Sequence, residues 1–248
     1  MKIGFAFLCK NNIFNQDLWN NFFNSLNVDY EIFIHSKKEI TTSFKKSKEN
    51  KLDPIPTKWA DISLVHASNL LFEASFNNSC EVTYLLSGDS IPTRRSSSFC
   101  STNTSTTLMT PREFSKQKKY KLGQYWKLPH STRKLITKSQ LKKQHMFFCM
   151  RRSDFFGIKY LEKKGILFMD DFSKTFAPDE WFWINALKIT EASFINRGDY
   201  LFTGCKLKCR TKAERIKTSD IFSGRVNNFI FARKALELSR LEKLELQI

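Results

Sequence analysis

The chain has 248 residues, of which 41% are hydrophobic, and its formal net charge at pH 7 is +17. This length and composition suit a protein with a substantial buried core and exclude a disordered chain, while no run reaches the roughly 20 apolar residues of a transmembrane helix. The basic charge predicts attraction to polyanions, which include nucleic acid, anionic membrane surfaces and phosphate-bearing small molecules.

The first third of the chain predicts a βαβ unit. Residues 3–9 are an apolar strand, residues 16–26 form a helix, and residues 30–35 are a second strand that ends at His35. This order favours a parallel sheet, in which ligands collect beyond the carboxyl ends of the strands. We expect a further short extended segment near Ile55.

A second helix and a second buried strand follow. Apolar residues over 62–74 recur at helical spacing, and Thr57 or Asp61 is the expected cap. Residues 82–86 predict a strand that runs into Gly-Asp-Ser-Ile-Pro. Asp89 of this turn has two interpretations, an Asx-type turn or a carboxylate that faces a nucleotide or an acceptor.

Residues 95–143 predict a variable, loop-rich region. Its first part, residues 96–107, is rich in Ser and Thr, and residues 112–143 carry many cations with interleaved aromatic residues. Such interleaving occurs in segments that bind nucleic acid. Because no RNA- or DNA-binding motif accompanies it, we favour a solvated surface and keep nucleic-acid binding as the alternative.

A strand over 146–150 and a helix over 154–163 precede the segment Pro-Asp-Glu-Trp-Phe-Trp. Pro178 favours the first position of a helix, so Asp179 and Glu180 fall in its first turn, where the helix dipole favours carboxylates. One interpretation is an acidic helix start over a buried aromatic face. The other is a carboxylate held at the rim of a pocket as a general base.

The last fifty residues carry weaker signals. Residues 192–210 predict irregular or short-stranded structure, Thr218 to Asp220 a cap, and residues 236–248 a Leu-rich C-terminal helix. None of the six cysteines forms a Cys-x-x-Cys pair, so we expect neither a zinc site nor a secreted disulfide framework. The apolar run at residues 3–8 is too short for a signal peptide, and we expect a cytoplasmic location.

Several of these segments together resemble the core-2/I-branching glycosyltransferase family, whose best-known members are β-1,6-N-acetylglucosaminyltransferases. The matching pieces occur in the order of the family and span about residues 30–235. They are residues 34–37, 59–74, 84–92, 146–151, 177–183 and 231–234.

The resemblance implies an α/β fold, a single GT-A-like (Rossmann-like) domain over residues 1–248 with a mixed, mainly parallel sheet flanked by helices. It also implies an inverting reaction, which needs one base to deprotonate the hydroxyl group of the acceptor. The base of the family is the Glu of its Pro-Asp-Glu motif, which corresponds to Glu180. Asp179 is then either a neighbour of the base or an acceptor contact.

The resemblance further implies that no cofactor and no divalent metal is required. The chain contains no Asp-x-Asp motif, and in the family basic side chains stabilise the diphosphate leaving group instead of a metal. Lys234 corresponds to one of these cations. The second corresponds to Thr211, a departure from the family pattern, and we favour its neighbour Arg210. The remaining candidates are His35, Asp89 and Arg233 for the nucleotide sugar, and Trp126, Arg133 and His145 for the acceptor.

The leading prediction is therefore an inverting, metal-independent glycosyltransferase. It moves a sugar, N-acetylglucosamine or xylose, from a UDP-sugar to a hydroxyl of a glycan or glycoconjugate acceptor. The alternative is a basic module that binds nucleic acid or another polyanion without catalysis. The expected partners are the nucleotide sugar, the acceptor and an anionic membrane surface, with no specific nucleic acid.

Overall fold

The structure, a computed structural model, describes residues 1–44, 49–93, 108–109, 111–112, 118–192, 195–196, 201–202, 216–224, 226 and 230–246. The described helices are α1 (Gln16–Asn24), α2 (Ser63–Asn77), α3 (Lys118–Trp126), α4 (His130–Leu135), α5 (Arg152–Lys163), α6 (Phe182–Ile189), α7 (Thr218–Phe222) and α8 (Arg240–Glu245). The described strands are β1 (Lys2–Cys9), β2 (Asp29–Ser36), β3 (Glu49–Lys51), β4 (Val82–Ser87), β5 (Ile91–Pro92), β6 (Leu108–Met109), β7 (Pro111–Arg112), β8 (Lys143–Gln144), β9 (Cys149–Arg151), β10 (Ile195–Asn196), β11 (Leu201–Phe202) and β12 (Phe231–Ala232).

The main sheet has the strand order β10-β6-β9-β4-β1-β2-β3. Strands β4, β1, β2 and β3 are parallel, and β9 runs antiparallel to β4. A mixed, mostly parallel sheet flanked by helices is the fold class that the sequence predicted, and this prediction is confirmed. The pairing of β1 with both β2 and β4 places the first strand of the chain in the middle of the sheet.

One face of this sheet packs on α1 through aromatic side chains. Strand β1 is buried from Ile3 to Cys9, as a strand covered on both faces should be. Phe7 lies 5.0 Å from Trp19 and Phe5 lies 5.1 Å from Phe23, measured between ring centroids. Such edge-to-face pairs are worth about 1 kcal/mol each beyond the area that they bury, so they fix α1 against the centre of the sheet.

Helices α2, α5 and α6 form the layer on the opposite face. Phe72 of α2 lies 5.3 Å from Trp183 of α6, again between ring centroids. Helix α2 comes closest to β1 at Gly4, where an added Cβ atom would lie 2.1 Å from the Oγ atom of Ser75. The absence of a side chain at Gly4 therefore allows α2 to pack directly on β1.

Several strands and helices begin or end at residues other than those predicted from the sequence. The third strand is β3 and not a segment near Ile55, and β9 begins at Cys149. The expected helix start at Pro178 is a separate 3-10 turn, Pro178–Glu180, and α6 begins only at Phe182. Pro178 lies at the start of this turn and the turn contains Asp179 and Glu180, as predicted, but the turn is a 3-10 helix separate from α6.

The loop-rich interpretation of residues 95–143 is wrong for the part that the structure describes as α3 and α4. Tyr125 and Leu128 are buried there, so tertiary packing orders a segment whose composition is polar and basic. Residues 94–107 and 113–117 lie outside the described residues. The predicted C-terminal helix is shorter than expected and covers only Arg240–Glu245. Within the described ranges, no helix has the length and apolar character needed to cross a membrane.

Candidate functional site

The carboxyl ends of β2, β1 and β4 meet at one edge of the sheet. In the register, Leu8 of β1 is paired with His35 on one side and with Ser87 on the other. Paired residues of neighbouring strands present their side chains to the same face. His35 and Ser87 therefore lie in one row on the face that carries α2, at the edge where the sequence analysis expects ligands.

His35 connects this edge of the sheet to the segment around residue 55. Its side chain is buried, and its Nε2 atom accepts a hydrogen bond of 3.0 Å from the backbone N–H of Ile55. Burial lowers the pKa of His35, which favours the neutral ring with its proton on Nδ1. In this structure His35 holds the segment around residue 55, and its predicted contact with a nucleotide sugar stays a prediction.

Asp89 and Arg233 are brought together from 144 positions apart. The Oδ1 atom of Asp89 accepts hydrogen bonds from the Ser87 hydroxyl and, at 3.3 Å, from Nε of Arg233. The Arg233 guanidinium lies 4.5 Å from the ring centroid of Phe147. The Asp89 carboxylate thus contacts a residue distant in the chain as well as its own turn. Gly88 allows this turn to pass close to Asn12, because a Cβ atom at position 88 would lie 2.0 Å from the Asn12 carbonyl oxygen.

Asp89 also affects a neighbouring thiol. Burial first, and then the nearby Asp89 carboxylate, raise the pKa of Cys9. A thiol in this environment stays protonated and acts as a packing residue. Cys80 and Cys149 are likewise buried, and neither forms a disulfide with another described cysteine.

Lys234 follows Arg233 at the same edge. The backbone of the next residue, Ala235, donates a hydrogen bond of 2.9 Å to the carbonyl oxygen of Asp89, and the Lys234 carbonyl oxygen accepts one of 3.0 Å from Ile216. The segment lies after β12 and not on a helix surface. Among the described residues, the half-buried Lys234 ammonium has no ion pair or hydrogen bond. Arg210 lies outside the described residues.

Glu180 has a charged partner that the sequence did not indicate. The Nζ atom of Lys143 lies 2.5 Å from Oε2 of Glu180, and the two side chains are only 9% and 17% exposed. The same ammonium lies 5.6 Å from the ring centroids of Tyr120 and Trp181. Lys143 is far from Glu180 in the sequence, so no local spacing could predict this pair.

The backbone fixes the other end of the Glu180 side chain. Ala177 has a left-handed conformation with φ of 57°, and the Glu180 N–H donates a hydrogen bond of 3.0 Å to its carbonyl oxygen. The indole N–H of Trp181 donates one of 2.9 Å to the carbonyl oxygen of Phe176. Asp179 is buried beside Glu180. A buried position does not favour the acceptor contact predicted for Asp179, and this role stays a prediction.

The predicted acceptor residues Trp126 and Arg133 contact each other. The Arg133 guanidinium carbon lies 4.9 Å from the ring centroid of Trp126. Helix α3 reaches the Glu180 turn through Gln124, whose Oε1 atom accepts a hydrogen bond of 2.8 Å from the Phe176 N–H. His145 lies one residue beyond β8, and its predicted role stays untested.

One short segment connects the Glu180 pair to the Asp89 pair. Lys143 contacts Glu180, and Phe147 contacts Arg233. Four residues span at most about 14 Å between Cα atoms. Glu180, the predicted base, and Arg233, a predicted contact of the nucleotide sugar, thus both contact the short segment from β8 to the residues before β9.

An open groove of about 550 Å³ lies beside the segment that follows Lys234. Its lining comes from the loop after β1, from residues 41–43 and from Glu237, Leu238 and Lys243. The Asn15 amide joins two of these parts by donating hydrogen bonds to the carbonyl oxygens of Ala235 and Leu236. Glu180 and Lys143 do not line this groove, and no sequence pattern indicated it.

Among the residues described, no group of three His, Cys, Asp or Glu side chains is placed to hold a metal ion. No family model matches the chain, and no curated protein matches it either. The proposed function therefore rests on the residues described above.

Proposed function

We propose that the protein is an inverting glycosyltransferase that uses a UDP-sugar and needs no divalent metal. The observation that carries the proposal is that residues 143–147 link two charged pairs, because Lys143 pairs with Glu180 and Phe147 contacts the Arg233 side chain that pairs with Asp89. Arg233 and Lys234 supply cations beside Asp89, and Glu180 supplies a carboxylate held by Lys143. The α/β fold supports it, because ligands bind at the carboxyl ends of parallel strands.

In this proposal the cations stabilise the diphosphate as its charge grows. A guanidinium matches phosphate oxygens in a bidentate geometry, so the diphosphate competes with Asp89 for Arg233. Lys234 adds a second positive charge, and Arg210 remains the residue predicted to hold the diphosphate together with Lys234. Such fixed charges do the electrostatic work that a metal ion does in other sites.

Glu180 acts as the general base. It takes the proton of the acceptor hydroxyl while that oxygen attacks the anomeric carbon and the bond to the diphosphate breaks. A base must lie within about 3 Å of the proton that it removes. The contact with Lys143 and the turn at Ala177 restrict the positions that the carboxylate can take.

The first test is binding of UDP in the presence of EDTA. We expect UDP to raise the melting temperature of the wild-type protein without added metal, because a ligand that binds only the folded state stabilises it. Lys234→Met should weaken UDP binding about tenfold or more, whereas Lys164→Met, at an exposed position outside the site, should not change it. Binding that requires manganese or magnesium would contradict the metal-free proposal.

A second candidate function is a polyanion-binding module without catalysis. The basic residues of α3 and α4 favour it, since cations and exposed aromatic rings together suit single-stranded nucleic acid. A steep decrease of oligonucleotide affinity with salt, combined with no response to UDP, would support this candidate. The predicted donor sugar, acceptor and cytoplasmic location also stay proposals, and cell fractionation tests the last of them.

A further inference from the structure

Helix α3 presents two large apolar side chains to solvent. Leu122 is 41% exposed and Trp126 is 54% exposed, and residues four apart lie next to each other on a helix surface. A Cβ atom added at Gly123, between them in sequence, would meet no atom within 4 Å. The opposite face of the helix is buried through Gln124 and Tyr125. The Leu122–Trp126 face is therefore an outward surface of an otherwise well-packed helix.

Two cations flank the exposed indole ring. The Nζ atom of Lys138 lies 4.4 Å from the Trp126 ring centroid, and the guanidinium carbon of Arg133 lies 4.9 Å from it. Leu135 of α4, between these cations in sequence, is a further exposed apolar residue. Apolar side chains and positive charges are thus both present on the outside of α3, α4 and the segment that follows, and we call these residues the α3–α4 surface (Leu122, Trp126, Arg133, Lys134, Leu135 and Lys138).

Three more lysines converge beside this surface. Lys121 donates a hydrogen bond of 3.0 Å to the Ser139 carbonyl oxygen, so its ammonium lies near the segment that leads to Lys142. The side chain of Asn185 holds the backbone N–H and carbonyl of Lys142 at 2.8 Å and 2.7 Å. Lys188 lies three residues after Asn185, on the same helix.

These lysines repel one another. Burial, followed by the charge of Lys142 and that of Lys188, lowers the pKa of Lys121, and burial together with the charge of Lys142 lowers the pKa of Lys188. An anion at this place would relieve the repulsion. Residues 118–143 contain no Asp or Glu, and their cations are Lys118, Lys119, Lys121, Lys127, Arg133, Lys134, Lys138, Lys142 and Lys143.

We propose that the α3–α4 surface docks the protein on an anionic lipid membrane. Leu122 and Trp126 enter the headgroup region, and the surrounding lysines and Arg133 bind the lipid phosphates. The exposed leucines favour lipid over nucleic acid, because a phosphate backbone and stacked bases give them no apolar medium. Tryptophan is enriched at the level of the headgroups, and each basic residue near an anionic surface adds about 1 kcal/mol of attraction.

The test is co-sedimentation of the whole protein with vesicles at about 150 mM salt, near the physiological range. One set of vesicles contains only phosphatidylcholine, and the other contains phosphatidylcholine with phosphatidylglycerol. We expect binding to the second set only. Lys134→Glu with Lys138→Glu should weaken this binding at least about tenfold, and Leu122→Ser with Trp126→Ser should weaken it at constant charge.

Matched controls test whether vesicle binding depends on this surface or on basic charges and exposed leucines anywhere on the protein. Lys163→Glu with Lys164→Glu reverses two exposed charges at the C-terminal end of α5, and Leu241→Ser with Leu244→Ser removes two exposed leucines on α8. Neither control should change vesicle binding by more than about twofold. Circular dichroism of every variant checks that it is folded.

Equal losses in the controls and in the α3–α4 variants would overturn the proposal, as would no binding to anionic vesicles. Binding of a single-stranded oligonucleotide that depends on Trp126 and Lys138, without vesicle binding, would assign the surface to nucleic acid instead. The proposal does not depend on glycosyltransfer. A loss of UDP binding and a loss of vesicle binding are therefore separate results.

Discussion

At the scale of single residues, Lys143 determines how Glu180 is held. The pair is largely buried, between the rings of Tyr120 and Trp181. Burying two charges costs desolvation free energy that their attraction offsets only while both are present. Removal of one partner leaves a poorly solvated charge, so it should lower the free energy of unfolding.

We therefore predict a strong coupling in a double-mutant cycle. Lys143→Met should lower the free energy of unfolding by about 2 kcal/mol, since it leaves the Glu180 carboxylate without its cation. Adding Glu180→Gln to Lys143→Met should restore a large part of that loss. Urea unfolding of the four proteins of the cycle measures the coupling. Additive losses would show that the two side chains do not interact in solution.

Single residues also show which parts of the candidate site could be predicted from the sequence. Pro178, Asp179 and Glu180 were identified because a proline, two carboxylates and three aromatics are adjacent in the chain. The Asp89 turn was identified for the same local reason. Lys143 was not identified, because it pairs with Glu180 only after the segment before β9 has folded against the 3-10 turn. Arg233 was predicted as a ligand contact, but its pairing with Asp89 was not.

At the scale of elements, the sheet and its two helix layers were largely predictable. Strands β1, β2 and β4 and helices α1 and α2 have apolar patterns that match their burial. Helices α3 and α4 were not predictable from composition, since they are basic on the outside and are held by a few buried residues such as Tyr125 and Leu128. Strand β3 was placed too late in the chain, because the segment around Ile55 is fixed by His35 rather than by sheet pairing.

The packing of α2 on β1 gives a prediction at this scale. Gly4→Ala places a Cβ atom 2.1 Å from the Ser75 Oγ atom and 2.8 Å from the Thr83 Oγ1 atom. Because these hydroxyls are buried between sheet and helix, we expect a loss of about 1–3 kcal/mol in the free energy of unfolding. Urea unfolding measures it.

Gly123→Ala is the matched control. The same Cβ atom there meets open space on α3, and alanine is favoured over glycine inside a helix by up to about 1 kcal/mol. We expect this variant to be as stable as the wild type or more stable. If both substitutions have the same effect, the close approach of α2 to β1 does not exist in solution.

At the scale of the whole molecule, helix α3 connects the two proposed features, with the Glu180 turn on its buried side and the proposed membrane surface on its exposed side. The Glu180 turn is tied to α3 through Gln124 and Tyr120, and α3 carries the proposed membrane surface. A protein that docks through α3 would hold the Glu180 turn near the membrane. The proposed acceptor would then be a glycan or glycoconjugate presented at that membrane.

The central claim is that Glu180 is the base of a metal-independent sugar transfer. Its most direct test is the release of UDP from a panel of UDP-sugars, measured with EDTA present, for the wild type and for Glu180→Gln. We predict release by the wild type from at least one donor, and a decrease of about a hundredfold or more for Glu180→Gln with UDP binding retained. Turnover by Glu180→Gln at the wild-type rate would contradict the claim.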